Sequence, residues 1–82
     1  MPWLVLTRAG AERITRIGVT AEVLWMGSDV LSGEEIQQLR SAGRDVTVFV
    51  HPVRTAAEVA DALVTIREHH PGEVVWIEAT VA

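Results

Sequence analysis

"SGEEIQQLRSAGRDVTVFV", Ser32 to Val50, holds a helix start, a helix stop and a strand in one short run. Ser32 with Glu35 three residues on forms a capping box, in which each side chain satisfies an amide that the first helical turn leaves free. Ile36 and Leu39 then fall on one helix face, and Gly43 supplies the stop. The run from Val46 to Val50 carries the β-branched alternation of a strand. The same order recurs in "TAAEVADALVTIREHHPGEVVWIEATV", Thr55 to Val81. Thr55 and Glu58 are its capping box, Val59, Leu63 and Ile66 its inner face, Pro71-Gly72 its stop, and Val74 to Val81 its strand. With "AEVLWM", Ala21 to Met26, as the strand ahead, the chain contains two βαβ crossovers.

Upstream, "RAGAERITRIGVTAEVLWM" reads in two ways. As a helix, Ile14 and Ile17 form an apolar face, Gly18 is the stop and Val23 to Trp25 the strand, although no capping box opens it. As a strand, "ERITRI" alternates polar and apolar residues and makes an N-terminal β-hairpin followed by βαβαβ. The helix gives βαβαβαβ, a small α/β domain of two or three layers with a mainly parallel four-stranded sheet. "WLVL", Trp3 to Leu6, is continuously apolar, as befits a strand covered on both faces. A central first strand predicts the flavodoxin-like order 2-1-3-4. In the last strand Trp76, Glu78 and Thr80 alternate with Val75, Ile77 and Ala79, the pattern of a half-exposed edge.

Eighty-two residues make a single domain, residues 1–82, which buries only about 60% of the surface its unfolded chain exposes. Apolar residues at 49% and charged residues at 22% fit an ordered globular chain. With no cysteine, there are no disulfides, thiolate nucleophiles or cysteine metal ligands, and a cytoplasmic setting is expected. The opening residues offer neither a signal peptide nor a membrane span. Seven basic against eleven acidic residues give a formal charge of −4. All seven bases are arginines spread among acids, a distribution opposed to general nucleic-acid binding.

Ligands of open α/β sheets bind beyond the carboxyl ends of the strands where the strand order reverses. Order 2-1-3-4 sets that crevice between strands one and three. Thr7, Arg8 and Gly10 come from the first loop, and His51, Arg54 and Thr55 from the third, at helix N-termini whose amides favour anions. Ser28 and Asp29 extend the rim. A small phosphate or carboxylate compound is the ligand class this predicts. The competing reading makes "HPVRT" a turn with solvated charges, since no G-x-G-x-x-G or G-x-x-x-x-G-K-[ST] sequence occurs. Ser28, Asp29 and His51 have the residue types of a hydrolytic triad but no nucleophile elbow, so no catalytic residue is assigned. "EHHPG" lacks the spacing that converges two histidines on one ion, and no metal or other cofactor is expected.

Glu58, Asp61, Thr65 and Glu68 form one polar stripe along the last helix, either solvated or available to a basic partner. Trp3, Trp25 and Trp76 all fall in expected strands, too many rings for so small a sheet to hide. Trp76, beside Glu78 on an edge without lysine or proline to block pairing, marks a surface that seeks another chain. The function expected is a small non-catalytic interaction or regulatory module that forms a homodimer or docks a protein through its C-terminal strand and helix. The alternatives are binding or minimal catalysis on a small anion at the rim, and an acidic inhibitor of a basic protein site.

"LVLTRAGAERITRIG", Leu4 to Gly18, resembles the start of the carbon storage regulator family of RNA-binding proteins in its "LTR", glycine-glutamate and isoleucine-glycine. Ala11 separates Gly10 from Glu12, the spacing to Ile17 is longer, and nothing after residue 20 matches. That family is all-β, and the resemblance carries neither its fold nor RNA binding to this chain.

Overall fold

The computed structural model describes residues 1–17 and 22–79. Its elements are β1 (Pro2–Val5), α1 (Arg8–Ile17), β2 (Val23–Met26), α2 (Gly33–Ser41), β3 (Asp45–Val48), α3 (Ala56–His69) and β4 (Trp76–Ile77). Both capping boxes form, Ser32 with Glu35 opening α2 and Thr55 with Glu58 opening α3. Gly43 follows α2 at φ +87, a conformation that glycine adopts without steric cost. α1 settles the ambiguity of "ERITRI": the segment is helical, and Ala11 and Ile14 are buried along its inner face. The N-terminal hairpin is thereby removed. The expected stop at Gly18, the start of the second strand at Ala21, and Thr80 and Val81 lie outside the described residues.

Four parallel strands form one sheet in the order β3-β2-β1-β4. The α/β class and the parallel sheet follow the sequence reading, but the order 2-1-3-4 does not. β2, "VLWM", is as thoroughly covered as β1 and sits beside it as the second central strand. β3 alternates Asp45 and Thr47 with Val46 and Val48, a pattern compatible with an edge. β4 is the other edge, as its alternation predicts, but it pairs only at Trp3↔Trp76 and Leu4↔Ile77.

Side-chain parity gives the sheet two apolar faces. Val5, Leu24, Met26 and Val46 meet Ala11 and Ile14 of α1 and Ile36 of α2. Leu4 and Trp25 on the opposite face meet Ala62 and Ile66 of α3 together with Val53. The chain therefore makes three layers. α1 and α2 cover one face, and α3 covers the other because the crossover from β3 to β4 runs back across the sheet. The loop after β3 also bends back over β2: Phe49 N–H donates to Met26 O at 2.9 Å and Ser28 N–H to His51 O at 3.1 Å. The approach is close enough that a Cβ at Gly27 would lie 2.7 Å from Val53 N.

Candidate functional site

With β4 on the far side of β1, strand order reverses between β1 and β4, and β2 separates β1 from β3. The crevice expected between strands one and three is therefore displaced to the ends of β1 and β4. The third loop nevertheless reaches the first, because it crosses β2. Leu6, Thr7, Val53 and Arg54 surround one cavity of about 210 Å³.

Carboxylates of the chain itself occupy the anion-favouring groups along this rim. Arg8 grips Glu35 in a two-pronged pair, with Nη2 donating to Oε1 at 2.9 Å and Nη1 to Oε2. That pairing, with the amide of Ser32, holds the Glu35 carboxyl at about 2, and it raises the Arg8 guanidinium. Arg54 donates through Nε and Nη2 to Asp29 Oδ2, which pulls the Asp29 carboxyl below its usual range. Glu58 Oε1 accepts the amides of Thr55 at 2.9 Å and Arg54 at 3.0 Å, and these bonds lower the Glu58 carboxyl. At α1, Glu78 Oε1 accepts from Leu6 N–H at 2.8 Å and Thr7 N–H at 2.9 Å, while Oε2 accepts from the Thr7 hydroxyl.

Gly10 is where this last contact dictates the sequence. A Cβ there would lie 1.9 Å from Glu78 Oε1, so only glycine admits the carboxylate this close to the first turn of α1. His51 turns its Nδ1 to the Pro52 carbonyl at 2.9 Å and stacks on Phe49. Asp29 is engaged by Arg54 and does not reach His51 or Ser28 through any hydrogen bond seen among the described residues. His69 and His70 pack on Trp25, and His70 lies between the Trp25 indole at 3.4 Å and Glu73 at 3.0 Å. Among the described residues no three His, Asp or Glu side chains converge as a metal site requires.

The second candidate surface is the outer edge of β4. Trp76 is 46% exposed, Ile77 44% and Val74 62%. Trp76 stacks on Trp3 with ring centroids 5.4 Å apart, and its indole N–H points to Met1 Sδ at 3.4 Å. The Met1 ammonium in turn holds Glu22 at 2.8 Å and lowers its carboxyl. A cavity of about 170 Å³ opens between β1, β4 and α1, with Arg13 and Ile14 on its helical side. Along α3, Asp61 and Glu68 are exposed, but Thr65 is half-buried and bonded within its own helix, and Glu58 is committed to the cap.

Sequence reasoning found Thr7, Gly10 and Glu78 but not their union, since Thr7 and Glu78 stand 71 residues apart along the chain. The available signal was the parity shared by Trp76 and Glu78 on one face of an edge strand. No helix among the described residues is long and apolar enough to cross a membrane. The chain matches no protein-family model, no curated protein and no solved structure.

Proposed function

We propose that this chain is a small non-catalytic interaction module that self-associates through β4. The carrying observation is an edge strand whose two side chains, Trp76 and Ile77, are both exposed, with Val74 exposed two residues ahead of it. An open strand edge offers unpaired backbone donors and acceptors, and exposed apolar side chains beside them add area to any strand that pairs there. A two-fold pairing of β4 with its copy extends two four-stranded sheets into one and removes an edge from each. Sedimentation velocity tests the reading: a dimer mass in the wild-type chain that falls to the monomer in Trp76→Glu and in Val74→Glu supports it. A wild-type monomer at every concentration overturns it.

One observation favours a second reading, a small anionic ligand at the rim: Thr7 and Arg54 line the same cavity. Such a ligand competes with Asp29 for the Arg54 guanidinium, so Asp29→Asn strengthens its binding and Arg54→Ala abolishes it. Thermal shift with inorganic phosphate and small dicarboxylates is the measurement. An unshifted melting temperature in Asp29→Asn across the panel contradicts this reading.

A further inference from the structure

β4 contributes little to the buried core. Among the described residues, every member of the two buried clusters lies between Leu4 and Ile66, and from the last segment only the half-buried Val75 packs against them. The strand pairs at two positions, and both of its side chains are exposed. What holds it is local and largely polar: the Glu78 carboxylate on Leu6, Thr7 and the Thr7 hydroxyl, Glu78 N–H on Leu4 O at 3.0 Å, and Trp76 on Trp3. Between α3 and β4 no regular element intervenes, and the turn there includes Gly72 at φ +77.

We infer that Trp76–Glu78 is a detachable segment exchanged between two copies, each laying its Trp-Ile-Glu on the other's β1 edge and α1 N-terminus. The inference rests on the self-association through β4 proposed above and puts exchange of the strand in place of edge-to-edge pairing as its mode. The seat is matched to this tripeptide: Trp3 receives an aromatic ring, and the Leu6 and Thr7 amides just ahead of α1 receive the carboxylate two residues further on, over Gly10. A second copy carries the identical segment, so exchange restores every contact that detachment breaks. Its cost falls on the irregular turn after α3, which must open, and on the contact Val75 makes with the cluster of Leu4, Trp25, Val53, Ala62 and Ile66. Edge-to-edge pairing of β4, by contrast, leaves Glu78 on its own chain.

The test is a titration of the full-length Glu78→Gln chain, labelled with ¹⁵N, by the peptide EVVWIEA, residues 73–79, and by its glutamine counterpart EVVWIQA. Exchange predicts saturable shifts of the Leu6 and Thr7 amides with the acidic peptide, binding at least about tenfold weaker with the glutamine peptide, and movement of the protein's own Trp76 indole signal to its free position. The wild-type chain is titrated in parallel, so that the acidic peptide is tested on a folded receptor whatever the variant does. An unmoved Trp76 indole in both proteins, or equal responses to the two peptides, overturns the inference. Sedimentation of the same samples separates the two readings: dimers without a peptide response overturn exchange and keep edge pairing, and monomers overturn both.

Discussion

Glu35 joins two structural roles in one side chain, closing the α2 capping box and pairing with Arg8 from the first loop. Its folded-state carboxyl sits at about 2, below the unfolded value of 4.5, so the unfolded state binds more protons between those limits. The stability it supplies is complete above the ordinary carboxylate range and is lost as pH falls from about 4.5 towards 2. Melting temperature against pH therefore drops over that window, and Glu35→Gln flattens the drop; an equally steep profile in the variant contradicts this role. Gly10 gives a second residue-scale expectation. Gly10→Ala forces Glu78 off the Leu6 and Thr7 amides and costs about 1 kcal/mol in denaturant unfolding, although alanine is the better helix former. A stabilised variant contradicts the close approach.

The elements differ in how openly the sequence declares them. α2 and α3 were legible because a capping box is a local signal, with Ser32 and Glu35 or Thr55 and Glu58 three residues apart. Thr55→Ala accordingly destabilises the protein by about 1 kcal/mol, measured by urea unfolding, through the loss of an α3 cap. α1 was ambiguous because the stretch is short, holds only two isoleucines and has no capping box to mark a helix start, and burial of Ala11 and Ile14 against the sheet decides for the helix. The strand order was not legible, because β1 and β2 are both continuously apolar and nothing local says which of them neighbours β3. The rim's ion pairs were equally out of reach, because Glu35 and Asp29, which bind Arg8 and Arg54, are 27 and 25 residues away.

At the scale of the whole molecule, a core drawn from Leu4 to Ile66 is covered on both faces, while β4 hangs on one edge with its apolar side chains outward. Truncation should register that division. Ile66→Ala, at a fully buried position, costs about 3 kcal/mol, and Ile77→Ala costs under about 1 kcal/mol. Equal costs by urea unfolding contradict a core that is complete without β4. The exposed edge itself is tested most directly by sedimentation velocity of the wild-type chain beside Trp76→Glu over a wide range of protein concentration. The prediction is a concentration-dependent dimer in the wild type and a monomer in the variant; a wild-type chain that stays monomeric throughout, or a variant dimer of equal strength, contradicts self-association through β4.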